Sequence, residues 1–264
     1  MNKIFGLKHI IIVCVSVALI VGLFFLSKKF RFETLCKFMF GLAIVCEVVK
    51  VFAYAIMNEE RLGGILPKSD LPFQLCSIQL IFFAILIFSK NEKIKKWLYS
   101  FMLPSCLFGG IAAILIATSS SLNVWVITFQ YFFYHIGLVV FALNLFTRKE
   151  ISFDVSDYFK CLIFLGGIFM FAIYINSICY DGVSTVNFMY VVDPPQKGLP
   201  FLNEDSGWLV YMLRYAALVL VCITGCYIKP IITAIKTAVK NRKSVKVFAE
   251  NTEAETTENG EENK

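Results

Sequence analysis

The chain has 264 residues, of which 58% are hydrophobic and only 17% are charged, and its formal net charge is +6. A mean hydropathy of +0.72 excludes an ordinary soluble domain and is typical of a polytopic membrane protein. Apart from the charge, nothing in the sequence supports binding to nucleic acid.

Apolar runs near or above the roughly 20 residues that cross a bilayer recur along the chain. In chain order they cover residues 9–27, 35–57, 71–89, 97–118, 124–146, 158–180 and 207–233. The sequence therefore predicts an all-α polytopic bundle of about seven transmembrane helices. The first run is too long for a secretion signal and no small-residue cleavage pattern follows it, so we expect it to be a retained helix.

Lysine and arginine are distributed unevenly among the connections between these runs. They are frequent after the first and third runs, as in Lys28, Lys29, Arg31, Lys93, Lys95 and Lys96. They are frequent again beyond the last run. The positive-inside rule then predicts an outside N-terminus and a cytoplasmic C-terminus for a multi-pass protein of the cell membrane.

The C-terminal segment differs in composition from the rest of the chain. Residues 1–235 form the predicted helix bundle, and 236–246 are a basic stretch suited to anionic headgroups. The sequence ends in AENTEAETTENGEENK, with six glutamates, one lysine and no aromatic residue. We expect residues 236–264 to be a juxtamembrane stretch followed by an acidic, disordered cytoplasmic tail.

The nine cysteines are odd in number and show no CxxC or Cys/His spacing typical of a metal site. They lie almost wholly within the apolar runs, where a cysteine is by default a small buried side chain. We expect no disulfide framework, no metal and no cofactor.

Several polar residues interrupt the apolar runs, most densely in LPFQLCSIQL at residues 71–80. An ionisable side chain within a membrane costs about 3 kcal/mol and usually faces protein or a watery cavity. The residues in question are Glu47, Lys50, Gln74, Cys76, Gln79, Gln130, His135, Asn176 and Arg214. At ~1.5 Å per residue, Cys76 lies roughly 8 Å, Arg214 about 10 Å, Glu47 about 15 Å and His135 about 17 Å below the predicted outer surface. The sequence thus predicts a polar chamber in the outer half of the bundle.

Structural roles are open for most of these residues. Glu47 and Lys50 are three residues apart and share a helix face, so they can pair with each other or with Arg214. The glutamines and Asn176 can serve as interhelical hydrogen-bonding groups. Pro72 is expected to begin a helix, where its missing N–H costs nothing.

Cys76 and His135 are the pair with a possible chemical role. An imidazole can take the proton of a thiol and return it to a leaving group, which favours acyl transfer through a thioester. Candidate donors to the developing oxyanion are Arg214, Gln79 and Lys50, and Glu47 or Asn176 could orient the imidazole.

Two other functions fit the same residues. In a small transporter or receptor-like bundle, Glu47, Lys50, His135 and Arg214 would bind a solute or relay protons. In a scaffold, the polar core would only hold the helices together. The sequence leaves the oligomeric state open.

LPFQLC resembles the Leu-Pro-apolar-His/Gln-Leu-Cys signature of the YwaF-like bacterial integral membrane proteins. The distance to the histidine in YFFYHIG matches that family's pattern, and VNFMYVVDPP is similar to its Asn-Tyr-Met-Tyr motif. The resemblance runs from about residue 35 to 233, with Gln74 where many relatives have His and Phe188 in place of Tyr.

That family is in turn similar to the transmembrane protein 164 group, acyltransferases that move fatty acyl chains between phospholipids with a Cys and a His. More distantly it resembles fatty-acid-ester hydrolases of the androgen-induced-gene type, which use a Thr and a His. The resemblance implies that Cys76 is a nucleophile and His135 its base. Asn187 and Tyr190 would border the site, and the partners would be membrane phospholipids or fatty-acyl lipids.

Overall fold

The computed structural model describes residues 6–57, 66, 68–117, 125–148, 151–182, 186–196, 199, 201–203 and 207–261, with side chains as far as residue 242. The α-helices of this part of the chain are α1 (Leu7–Ser27), α2 (Phe32–Met57), α3 (Leu75–Phe88), α4 (Glu92–Leu115), α5 (Trp125–Thr147), α6 (Val155–Cys179) and α7 (Trp208–Glu261). Two short 3₁₀ helices, Lys68–Asp70 and Phe188–Tyr190, lie in the connections. The described residues contain no strand, which confirms the predicted all-α bundle.

Six of these helices are long and apolar enough to cross a membrane. The exception is α3, which has 14 residues and is therefore about 21 Å long, shorter than the ~30 Å hydrocarbon core. The expectation that Pro72 begins this helix is wrong. Residues 71–73 form a tight turn, in which the Phe73 N–H donates to the Leu71 carbonyl at 2.7 Å, and the helix begins at Leu75. Cys76 therefore lies in the first helical turn.

Two helices begin earlier than their apolar runs because polar residues cap them. Asn91 accepts from the N–H groups of Lys93 and Ile94 at the start of α4. Asp154 and Asp157 form a reciprocal capping box at the start of α6. The predicted helix ends at residues 118 and 124 lie outside the described residues.

Helix α5 is the central element of the bundle and packs against α1, α2 and α4. Helix α4 contacts α3, α6 and α7, and α2 also packs on α3. A close crossing of α4 and α5 depends on Gly110, because a Cβ there would lie 2.7 Å from Val139 Cγ2 and 3.1 Å from the His135 carbonyl oxygen. The middle of α5, including His135, is thus fixed against α4.

The C-terminal segment is helical in backbone as far as Glu261, where composition predicted disorder. Residues 1–5 and 262–264 of the two predicted segments lie outside the described residues. The division at residue 235 and the orientation of the termini remain predictions.

Candidate functional site

The Cys76 thiol lies at the N-terminus of the short helix α3. The first intrahelical bond runs from the Ile78 N–H to the Gln74 carbonyl at 3.0 Å, so the preceding N–H groups have no partner within the helix. Those of Cys76 and Ser77 approach the thiol. Cys76 is half-buried, whereas Ser77 and Gln79 are buried. A helix N-terminus favours negative charge, which offsets part of the cost of forming a thiolate at this half-buried position.

Two tyrosines of α5 connect this helix start to His135. The Tyr134 hydroxyl donates to the Cys76 carbonyl at 2.8 Å. The ring of Tyr131 lies 4.3 Å from that of His135, centroid to centroid, and its phenol interacts electrostatically with the Cys76 thiol. Tyr131 is therefore the common neighbour of the predicted nucleophile and the predicted base.

His135 is buried and its ring is oriented by its own helix. Its Nδ1 lies 2.6 Å from the Tyr131 carbonyl, an oxygen that only accepts, so we assign the proton to Nδ1. This tautomer leaves Nε2 as the basic nitrogen. Among the hydrogen bonds of the described residues, none joins the imidazole to Cys76.

Glu47 and Lys50 pair with each other on α2, and Glu47 also meets the residue after Cys76. The ammonium of Lys50 lies 2.7 Å from Glu47 Oε2, and the Ser77 hydroxyl donates to Glu47 Oε1 at 2.8 Å. Each of these two charges has a partner of opposite sign within the protein, so a transported solute is not required to balance either one. Electrostatically, both charges act on the Cys76 thiol.

The segment of residues 187–193, called here the 187–193 loop, lies between α6 and α7. It is hydrogen-bonded to one side-chain amide at the start of α3 and to another on α6. Gln74 donates to the Asn187 carbonyl at 3.2 Å and accepts from the Met189 N–H at 2.9 Å. Asn176 accepts from the Phe188 N–H at 2.9 Å and donates to its carbonyl at 3.0 Å. The side chain of Asn187 closes the loop on itself through the Asp193 carbonyl and N–H.

Three side chains of helix α7 donate hydrogen bonds to consecutive backbone carbonyls of the 187–193 loop. Tyr215 donates to the Met189 carbonyl, Tyr211 to that of Tyr190, and Trp208 to that of Val191. Met189 and Tyr190 have φ of 56° and 53°, a left-handed conformation that non-glycine residues rarely adopt. Strain of this kind persists only where surrounding contacts fix it, and it concentrates at functional sites.

Gln79 and Arg214, the two remaining residues of the predicted site, form hydrogen bonds away from Cys76 and His135. Gln79 donates to Ser105 Oγ at 3.1 Å and accepts from the Cys106 thiol, which directs its amide to α4. Arg214 donates to Asn203 Oδ1 at 2.6 Å. Within the described residues, no cluster of three histidine, cysteine or acidic side chains could hold a metal ion.

A model of the TMEM164 family matches residues 4–227, a region that contains α1 to α6, the 187–193 loop and most of the apolar part of α7. The chain belongs to the TMEM164 family. The YwaF-like resemblance has no separate match. No protein of curated function and no solved structure matches the chain.

In this TMEM164-family protein, several residues of the site were missed or undervalued from the sequence. Gln74 is a hydrogen-bonding group as expected, but its partners are backbone groups of the 187–193 loop rather than another helix. Tyr134 was one aromatic residue among many in WVITFQYFFYHIG, and Ser77 had no distinguishing signal. The spacing of three between Tyr131 and Tyr134 does place both hydroxyls on one helix face, and that was the available clue.

Proposed function

We propose that this TMEM164-family protein is an intramembrane lipid acyltransferase or acyl-ester hydrolase of the cell membrane that uses Cys76 and His135. One observation carries the proposal: a half-buried thiol lies on the first turn of a short helix, and Tyr131, whose ring packs on the imidazole, interacts electrostatically with this thiol. Membership of the family supports a membrane-embedded site. Phospholipids or fatty-acyl esters are the proposed partners, and no nucleic acid is among them.

The proposed reaction begins when His135 Nε2 takes the proton of the Cys76 thiol. The thiolate attacks the ester carbonyl carbon, a carbon–sulfur bond forms, and the bond from that carbon to the alcohol oxygen breaks. The leaving alkoxide takes the proton from the imidazolium. A second alcohol, or water in the hydrolytic case, then attacks the thioester carbon as His135 takes its proton. The carbon–sulfur bond breaks, and the imidazolium returns that proton to the sulfur, which restores the thiol.

The local fold supports each of these roles. The unpaired N–H groups at the start of α3 stabilise the thiolate, and the bond from Nδ1 to the Tyr131 carbonyl keeps Nε2 free to accept a proton. In a site without substrate, catalytic hydrogen bonds are often longer than in the reacting complex. The proposal therefore requires the thiol and Nε2 to meet when the lipid ester is bound.

Substitution of the two residues tests this function in the full-length protein reconstituted in phospholipid vesicles. Movement of a labelled acyl chain between phospholipids and release of free fatty acid are measured together. Cys76→Ala should reduce both to background, and His135→Ala should lower turnover about 10²–10⁴-fold.

Cys179 and Cys222 provide matched controls, because they are half-buried like Cys76 but lie within α6 and α7 rather than at a helix start. Cys179→Ala and Cys222→Ala should keep wild-type turnover. Full turnover by the Cys76→Ala variant would refute the proposed chemistry.

A further inference from the structure

The side-chain hydroxyls of Tyr131, Tyr134 and Ser77 near Cys76 already donate hydrogen bonds, and this narrows the choice of a side-chain donor for a reacting carbonyl oxygen. The hydroxyls of Tyr131 and Tyr134 donate to the carbonyls of Ala113 and Cys76. The Ser77 hydroxyl donates to Glu47. None of these hydroxyls is free to bind a substrate oxygen without losing a bond.

Each donor predicted from the sequence is directed to another partner by at least one of its N–H groups. The ammonium of Lys50 pairs with Glu47, the amide of Gln79 donates to Ser105, and the guanidinium of Arg214 donates to Asn203. Acyl transfer through Cys76 nevertheless places a negative charge on the former carbonyl oxygen, which needs a positioned donor.

The Tyr190 phenol differs from these donors in its hydrogen bonding. Its hydroxyl has no hydrogen-bond partner among the described residues, and its oxygen interacts electrostatically with Cys76 and with Tyr131. Burial is the main cause that raises the pKa of Tyr190 to about 12, and the neighbouring Cys76 thiol acts in the same direction. The phenol therefore keeps its proton near neutral pH and can donate it in a hydrogen bond.

The backbone that carries Tyr190 is fixed from three helices. Gln74, two residues before Cys76, accepts from the Met189 N–H at 2.9 Å, so the loop residue before Tyr190 is tied to the start of α3. Tyr211 of α7 holds the carbonyl of Tyr190 itself, and Asn176 of α6 holds Phe188. These bonds maintain the left-handed backbone at Tyr190, which sets the direction of the side chain.

We infer that Tyr190 is a catalytic residue whose hydroxyl donates a hydrogen bond to the oxyanion formed when the Cys76 thiolate attacks a lipid ester. The inference rests on the proposed function. As the carbon–sulfur bond forms, the carbonyl π pair moves onto oxygen and the Tyr190 O–H stabilises it without giving up its proton. When the tetrahedral intermediate collapses, the pair returns and the alkoxide departs.

Two reactions of the Cys76 thiol distinguish a donor to the oxyanion from a residue that affects the reactivity of the thiol itself. Acylation by the p-nitrophenyl ester of a medium-chain fatty acid passes through an oxyanion, whereas alkylation by iodoacetamide is displacement at a saturated carbon and forms none. Tyr190→Phe removes only the hydroxyl. In the full-length protein in detergent, this variant should acylate Cys76 about 10²–10³-fold more slowly. Its alkylation, followed by mass spectrometry of the Cys76 peptide, should stay within about two-fold of wild type, in keeping with a donor that acts on the oxyanion alone.

Tyr227→Phe is the matched control, because the Tyr227 hydroxyl donates to the Ser100 carbonyl away from the site. It should leave both rates unchanged. Unchanged acylation in the Tyr190→Phe variant would overturn the inference, and so would an equal loss of acylation and alkylation, which would place the effect on the thiol. Failure of the inference alone leaves Cys76→Ala inactive, whereas an active Cys76→Ala variant refutes the underlying function as well.

Discussion

Asn176 binds both backbone polar groups of Phe188, accepting from its N–H at 2.9 Å and donating to its carbonyl at 3.0 Å. One amide side chain on α6 thus replaces the pairing that a helix or a sheet would give this residue. Phe188 is buried, where unpaired backbone groups are costly. The contact allows an irregular segment to pack inside a membrane-protein bundle.

Removal of this amide should destabilise the protein. Asn176→Ala leaves the Phe188 N–H and carbonyl without partners, so we expect a loss of about 2–4 kcal/mol and slower turnover because the 187–193 loop loosens. Asn144→Ala is the control, since Asn144 is also buried but bonds to Ser27 and Val140. It should lower stability without the selective loss of turnover. Unfolding in detergent and acyl transfer are the two measurements, and equal turnover in both variants would contradict this role of Asn176.

Gln74 should be sensitive to the loss of its donor rather than to the loss of its volume. In the Gln74→Glu variant, a carboxylate would face the Asn187 carbonyl that the amide now donates to at 3.2 Å, and two acceptors repel. A protonated glutamic acid can donate again. Turnover relative to wild type should therefore fall at pH 8 and recover as the pH is lowered. A ratio that does not change with pH would show that the donor is unimportant.

Adjacent glycines in α4 should respond with opposite sign to alanine. A Cβ at Gly110 would lie 2.7 Å from Val139 Cγ2 and 3.1 Å from the His135 carbonyl oxygen, whereas one at Gly109 would make an ordinary contact of 3.9 Å with Leu75. We expect Gly110→Ala to lose about 1–3 kcal/mol through overpacking and to slow turnover by displacing His135. Gly109→Ala should gain about 0.5–1 kcal/mol through helix propensity. Thermal unfolding measures both, and equal behaviour of the two variants would refute the close crossing.

Asp154 should add a small pH dependence to stability. Burial pushes the pKa of its carboxyl upward, but the Asp157 N–H and the Lys96 ammonium together hold that pKa below its ordinary value. A lowered folded-state pKa means that the stabilisation is present above the unfolded value of about 4 and is lost as the pH falls through the folded value. Because the side chain is exposed, the gain is less than about 1 kcal/mol.

Asp154→Asn retains a good helix cap and removes the charge. Wild type should therefore unfold at a higher temperature than this variant at pH 6, and the gap should close by about pH 3. A gap of constant size across that range would show that the charge of Asp154 contributes nothing.

The sequence predicted the helices well because apolar length decides them, and the Glu47–Lys50 pair followed from a spacing of three. The start of α3 was wrong by about a turn, because Pro72 is equally compatible with a helix start and with the observed turn. Gln74 bonds to the backbone of Met189, 115 positions away, and Asn176 to the backbone of Phe188, 12 positions away. No local sequence pattern encodes such bonds. The left-handed backbone at Met189 carries no glycine signal, since tertiary contacts impose it.

The most direct test of the proposed chemistry is detection of an acyl chain on Cys76. Full-length protein is mixed with vesicles of a phospholipid that carries one defined acyl chain, quenched rapidly in acid, and digested for peptide mass spectrometry. We expect the Cys76 peptide to gain the mass of that acyl group, hydroxylamine to remove it, and His135→Ala to slow its formation. Continued turnover with an unmodified Cys76, or equal acylation of Cys179 and Cys222, would contradict the proposed chemistry.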